Sequence, residues 1–274
     1  LTVVSKRFEK EIEILRKLKH PNIISLMAVV KKTERERAWL IFPWASHGNV
    51  KQFLKTGNWE IPERVALVSC GFFFRIGALL SVHSCRIIED VSRGLSFLHT
   101  QNPPICHGDL KSVSLIWFCY STGHLNHSIQ SLISSMSSFA MHTASGPTWT
   151  TRWASPGILR GEKTRLTSDI WARGWVCWEI ITDHMPFHQV SNDSNVVLRI
   201  IRGELPPVSS NKKSAQLRTM CTMLVGCWQK KPRRRPTATE CLEVIEQLVR
   251  ITAEHIESRL TPRFGNSHRL VRQK

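Results

Sequence analysis

The sequence predicts an α+β fold: a short start built on one helix and a two-stranded hairpin, followed by a mostly helical body. Two observations predict it. Near the start, two apolar runs, IISLMAVV (23–30) and AWLIF (38–42), are joined by the charged string KKTERER. Two apolar runs with a polar connection are the pattern of a hairpin. Beyond residue 86, apolar side chains recur every three or four positions through several segments, as in helices with one buried stripe. At 274 residues the chain is long enough to bury a sizeable core.

Taken in order, residues 7–19 form an amphipathic helix. Phe8, Ile12, Leu15 and Leu18 fall on one face, and Lys and Glu fill the other. His20-Pro21-Asn22 stops it. The hairpin follows, and Pro43 to Asn49 is a linker ending in a Gly turn. IIEDVSRGLSFLH (87–99) is a buried helix through Ile87, Val91, Leu95 and Leu98. Residues 167–181 form another, with Thr167 or Ser168 as N-cap and Trp171, Trp175 and Trp178 inside. Two more helices cover 214–228 and 237–250. The last opens on Thr237-Ala-Thr-Glu240, a capping box in which Thr and Glu side chains satisfy two orphan amides. No internal repeat is present.

Charge narrows the function classes. The chain carries 38 Lys+Arg against 21 Asp+Glu, a net +17. Such an excess invites nucleic acid or an acidic membrane. The excess is nevertheless spread along the chain. Only KKPRRR (230–235) and the acid-free end 259–274 look like patches, so a solvated basic surface and a frayed tail are the reading, and nucleic acid is disfavoured. The eight cysteines form no Cys-x-x-Cys, so neither a zinc ribbon nor a thioredoxin site is suggested. Their long spacing predicts reduced, mostly buried thiols and hence cytosol or nucleus. The run VALVSCGFFFRIGALLSVH (65–83) has the length of a membrane span but centres on Arg75. A central Arg costs about 2.5–3.5 kcal/mol on insertion scales, so no membrane is expected. His124 and His127 lack a third ligand, and no metal is expected there. The chain opens LTVVSKRFEK, with neither signal peptide nor initiator Met, and reads as a fragment.

Two stretches break the texture. Residues 112–151 contain no Asp, Glu, Lys or Arg, but ten serines. At the 22% charge of the chain, forty residues should hold about nine charged ones. Residues 69–86 hold only Arg75 and Arg86. Deleting 69–86 would join IPERVALV directly to IIEDV as one helical run. Both stretches read as foreign insertions, 69–86 and 114–149, from translated non-coding sequence or a frameshift. Residues 112–151 are expected to be irregular.

The string CHGDLKSVSL (106–115) follows the 87–99 helix. It resembles the catalytic loop of protein kinases, His-x-Asp-x-Lys-x-x-Asn. Five further strings resemble that family in the same order. RFEKEIEILRKLKHPNII (7–24) is similar to the αC helix and the start of the next strand, and LIFPWASHGNVKQFL (40–54) to the hinge region and αD. TTRWASPGIL (150–159) is similar to the end of the activation segment, and TSDIWARGWVCWEIITDHMPF (167–187) to αF. CWQKKPRRRPTATECLEVI (227–245) is similar to αH and αI. The Gly-x-Lys-Ser loop and the Cys-Trp…Arg-Pro-Thr ending place the resemblance nearest the tyrosine-kinase-like Ser/Thr branch.

The resemblance implies a partial kinase N-lobe and hinge over 1–45, a C-lobe over 46–258 and a basic tail over 259–274. It implies ATP and Mg²⁺ as cofactors and a protein substrate or protein partner. Asp109 would accept the substrate hydroxyl's proton, and Lys111 would neutralise the γ-phosphate. Phe42 stands at the gatekeeper position, and Pro43, Trp44 and Ala45 would line the adenine. His107 is implied to be a packing residue, its backbone held by Asp169. Cys106 and His107 are adjacent, so their side chains diverge and form no nucleophile pair.

The chain also departs from the pattern. Ser114 stands where the family's Asn holds the second magnesium. No Asp or Glu lies between Asp109 and Glu162, so the Asp-Phe-Gly carboxylate that would hold Mg²⁺ is missing. Gly157 replaces the Glu of Ala-Pro-Glu, which leaves Arg235 without its usual carboxylate. Glu11 lacks the lysine that would pair with it, which would lie before residue 1. These losses put ATP and Mg²⁺ binding in question and predict a chain inactive as written. The alternatives are a non-catalytic pseudokinase that holds a partner through the surface around 187–228, and a nucleic-acid binder.

Overall fold

A computed structural model describes residues 9, 12–32, 37–44, 49, 52, 82–119, 127–131, 151–206 and 215–264. A helical segment at 12–17 precedes strands β1 (Ala28–Lys32) and β2 (Arg37–Ile41), which pair antiparallel with Val30 opposite Trp39. The long helix α1 (Val82–His99) leads through a loop and a 3₁₀ turn (Ser112–Ser114) to β3 (Leu115–Cys119). β3 pairs antiparallel with β4 (His127–Ser131), Trp117 opposite Ile129. Then follow α2 (Pro156–Leu159), α3 (Leu166–Thr182), α4 (Asp193–Arg202), α5 (Ala215–Cys227), a 3₁₀ turn (Pro232–Arg234) and α6 (Ala238–Phe264).

The α+β reading holds, with one strand pair near the start, a second pair after α1, and helices making up most of the rest. Several boundaries differ. The first strand begins at Ala28, because Ile23 and Ile24 are both buried, at 1% and 2% exposure, and consecutive buried residues break the alternation of a half-buried strand. Ile23 instead packs with Leu15, Leu18 and Leu98. Helix α1 begins at Val82 and so takes in the last five residues of the 69–86 stretch. Among these, Cys85 sits in the core at 1% exposure, and burial pushes its thiol up to about 12. The N-cap of α3 is Arg165, not Thr167 or Ser168. Ser168 acts from inside the first turn, its Oγ accepting from the Arg165 amide at 3.3 Å.

The charge-free tract carries β3 and β4 where irregular chain was expected. LIWFC is apolar, aromatic and β-branched, which suits a strand whatever the charge. His127 therefore lies in a strand. Helix α6 runs to Phe264, so 259–264 continue the helix instead of fraying. The expectations for Phe8, Glu11, Ala45, Cys70, Arg75 and the rest of 65–81, His124 and 265–274 fall outside the described residues. No helix among the described residues is long and apolar enough to cross a membrane.

The core is organised around α3. Its Ile170, Trp171, Trp175 and Val176 are at most 1% exposed and meet Ile88, Val91 and Leu95 of α1. Met220 and Leu224 of α5 and Cys241, Ile245 and Leu248 of α6 complete the cluster. Trp175 lies between Phe187 and Trp228, with ring centroids 4.9 and 4.5 Å away. Gly174 permits this approach: a Cβ there would fall 2.6 Å from the Trp228 indole nitrogen. The N-terminal segment docks on the end of α1 through Leu15, Leu18, Ile23 and Leu98.

The capping box of α6 forms as its sequence predicts. The Thr237 amide donates to Glu240 Oε2 at 2.7 Å, and the Glu240 amide donates to Thr237 Oγ1 at 3.2 Å. The Thr237 donors hold the Glu240 carboxyl below its ordinary value. A depressed carboxyl contributes stability above its unfolded pKa and loses it as pH falls through the folded value. Thr237→Ala should therefore cost about 1 kcal/mol in urea unfolding at neutral pH, and the difference should shrink in acid as Glu240 protonates.

Candidate active site

The loop between α1 and β3 is positioned by one carboxylate. After α1 the chain turns back, with the Ile105 amide donating to the Leu98 carbonyl at 3.0 Å. This brings 106–111 against the first turn of α3. There Asp169, 2% exposed, accepts three hydrogen bonds. The His107 amide reaches Oδ2 at 2.8 Å, the Gly108 amide reaches Oδ1 at 2.9 Å, and His99 Nε2 lies 2.9 Å from Oδ2. Gly108 has φ +82°, a left-handed backbone that glycine adopts without a Cβ penalty. His107 is buried, and its Nδ1 accepts from the Asp109 amide at 3.3 Å. The structural role expected for Asp169 is therefore seen in its contacts.

Asp109, Lys111 and Ser114 come together on this loop. Lys111 Nζ lies 2.5 Å from Asp109 Oδ2, with both side chains largely shielded. Ser114 Oγ lies 2.8 Å from the Lys111 carbonyl and 3.3 Å from the Asp109 carbonyl. It also accepts from the Lys111 amide at 3.2 Å. The serine thus closes the turn that carries both charged groups. A small pocket lies beside Asp109, walled by Gly108, Leu110, Trp153, Ser155 and Ile158.

The wall of that pocket is anchored by residues that motif reading missed. Glu179 of α3, buried in an apolar helix, accepts from Ser112 Oγ at 3.1 Å and from the Trp153 indole at 2.8 Å. One carboxylate therefore ties the loop to the 151–159 segment. Arg152 donates to the carbonyls of Pro186, Phe187 and Val190 and to Asp193 Oδ1, at 2.9–3.0 Å. An acid inside the apolar run VCWEII was the available signal for Glu179, since a buried acid needs partners. Arg152 had none, because its acceptors, three backbone carbonyls and Asp193, lie 34 to 41 residues along the chain.

Among the described residues no carboxylate lies within ion-pair distance of Arg235, and the ion-pair partner of Glu162 is Arg160, at 3.8 Å. A Cβ on Gly157 would fall 2.8 Å from Glu162 Oε2, so the Glu162 carboxylate occupies the space above that glycine. Burial lowers the Arg235 pKa to about 10. Its guanidinium also donates to the carbonyls of Gln229 and Thr167, both at 2.8 Å, and lies over the Trp171 ring.

The residues present do not fit a magnesium site. One oxygen of Asp109 is engaged by Lys111, and Ser114 is bonded within its own turn. Among the described residues no group of three His, Cys, Asp or Glu could hold a metal, and residues 110–161 contain no carboxylate. Of the four hinge residues, Phe42 and Pro43 are half-buried after β2 and Trp44 is 90% exposed. Ala45 lies outside the described residues.

Glu179 gives a direct test of the anchoring. Glu179→Ala leaves a buried hydroxyl and an indole N–H without their acceptor and should cost about 3 kcal/mol in urea unfolding. Glu179→Gln, which keeps one acceptor oxygen, should recover part of it.

A family model described as "Protein tyrosine and serine/threonine kinase" matches residues 2–245. The serine/threonine-protein kinase CTR1 of Arabidopsis thaliana is 26% identical over 248 residues, 89% of this chain and 27% of that protein. The serine/threonine/tyrosine-protein kinase HT1 of the same plant is 24% identical over 89% of this chain and 55% of its own length. The probable serine/threonine-protein kinase drkD of Dictyostelium discoideum is 28% identical, over 88% of this chain and 16% of its own. The chain thus spans between about one sixth and just over half of these relatives. The match runs through most of the chain and takes in the loop, its anchoring helix and the pocket wall, so the chain belongs to the protein tyrosine and serine/threonine kinase family.

Proposed function

We propose that this chain is a Ser/Thr-type protein kinase domain whose phosphotransfer is lost or severely impaired, and that it acts by binding a protein. The observation that carries the reading is the absence of any carboxylate between Asp109 and Glu162. Phosphoryl transfer depends on metal ions that bridge the phosphates and neutralise developing charge. Without an acid to hold them, Asp109 and Lys111 keep the geometry of a proton acceptor and a phosphate-facing cation. They lack the electrostatic stabilisation that makes such a pair effective.

The relatives are protein kinases by their names, which supports a protein as substrate or partner. The surface around 187–228 is the proposed docking region, and Leu198 and Val225 stand 48% and 39% exposed on it. Cys85, Cys106, Cys177, Cys221, Cys227 and Cys241 are free, in keeping with a reducing compartment, cytosol or nucleus.

A thermal-shift series with ATP, with and without Mg²⁺, tests the reading alongside transfer of labelled phosphate to a Ser/Thr peptide mixture. The expected outcome is no Mg²⁺-dependent rise in Tm and no transfer above the Asp109→Asn background. A Mg²⁺-dependent rise, with transfer abolished by Asp109→Asn, would overturn it.

A further inference from the structure

Arg173 is a cation buried in the core. It sits on α3 at 0% exposure, and among the described residues no carboxylate lies within ion-pair distance. Its Nε and Nη2 donate to Ser92 Oγ at 3.1 and 2.8 Å. Its Nη1 reaches Met223 Sδ at 3.6 Å and Cys227 Sγ at 3.7 Å. A buried guanidinium facing only neutral groups is costly. The groups near it that can become anions are thiols: Cys177 on α3, Cys227 at the end of α5 and Cys241 at the start of α6.

Two of those thiols face each other. Cys227 Sγ and Cys241 Sγ are 4.0 Å apart, in mutual hydrogen-bond contact. Cys241, itself 1% exposed, lies at the floor of a groove between α5 and α6, walled by Thr222, Met223, Gly226, Arg235 and Pro236. The groove has a volume of about 730 Å³, ample for a small oxidant. We propose that Cys227 and Cys241 are a redox-active dithiol, primed by Arg173, that a hydroperoxide converts to a disulfide joining α5 to α6.

The charge balance favours Cys241 as the attacking sulfur. The hydrogen bond from Cys227 holds the Cys241 thiol below its ordinary value, helped by Arg173 and His99 against burial and Glu240. Cys227 keeps its proton well above the usual range through that same bond and burial. Cys177 is pushed up by burial. Of the three thiols, Cys241 is therefore the one that gives up its proton most readily.

In the first step the Cys241 thiolate attacks one peroxide oxygen. The O–O bond breaks, the other oxygen leaves as an alcohol or water after taking a proton, and Cys241 becomes a sulfenic acid. The Cys227 sulfur then attacks that sulfur, and the hydroxyl departs as water. In sum, two thiols lose two protons and two electrons, and the hydroperoxide is reduced. The sulfurs must close by about 2 Å to reach bonding distance.

The test is intact mass and non-reducing peptide mapping of the 274-residue chain after exposure to hydrogen peroxide. The expected result is a loss of two hydrogens, a linked peptide whose fragments place the bond at Cys227 and Cys241, and its reversal by dithiothreitol. Cys221→Ser should retain the link, and Cys227→Ala should lose it. Arg173→Met should slow closure about tenfold, by raising the thiol pKa. The proposal fails if both thiols remain alkylatable after oxidation. It also fails if Cys241 gains oxygen without linking, or if the bond forms through Cys177 or Cys221.

Discussion

The carboxylate of Asp169 is the constraint on which the site rests. It is almost fully buried at the first turn of α3, where the helix dipole favours negative charge. It accepts from two consecutive amides of the 106–111 loop and contacts the imidazole of His99 at the end of α1. Buried backbone donors must find acceptors, and these amides find theirs on another element. The direction in which Asp109 and Lys111 leave the loop is therefore set by a helix some sixty residues further along the chain.

Helix α3 does more than fill the core. Along an otherwise apolar helix it carries Asp169, Arg173 and Glu179, all at most 5% exposed. Each binds a different part of the fold: the loop, the α1–α5–α6 interior, and the 151–159 segment. Hydrogen bonds to buried charged groups are stronger than neutral ones, and losing a partner is costly. Such a helix specifies the arrangement of its neighbours more narrowly than apolar packing alone. The framework of the candidate site is thus held in place although residues 110–161 carry no carboxylate. Scaffold and chemistry are separable here, because different residues carry them.

What was legible in the sequence were features with a local rule. Ile87, Val91, Leu95 and Leu98 mark the buried stripe of α1, and Thr237 with Glu240 marks the start of α6. The partnership of Asp169 with the loop came from a family resemblance and not from spacing. Less legible were features decided at a distance. The first strand starts at Ala28 because Ile23 is taken by the Leu15–Leu98 cluster. Helix α4 was not foreseen, although Asn192 caps it and Val196 and Ile200 bury one face. Its ten residues make a short signal among polar neighbours. Glu162 fills the space over Gly157 from five residues away, a contact that no motif position records.

The most direct test of the account is amide hydrogen exchange at His107 and Gly108, compared between the native chain and Asp169→Asn. If the carboxylate holds the loop, both amides in the native chain should exchange as slowly as those in the middle of α3. In Asp169→Asn they should exchange much faster, while Val176 and Cys177 keep their protection. Equal protection of His107 and Gly108 in both proteins would contradict the claim that Asp169 positions the site.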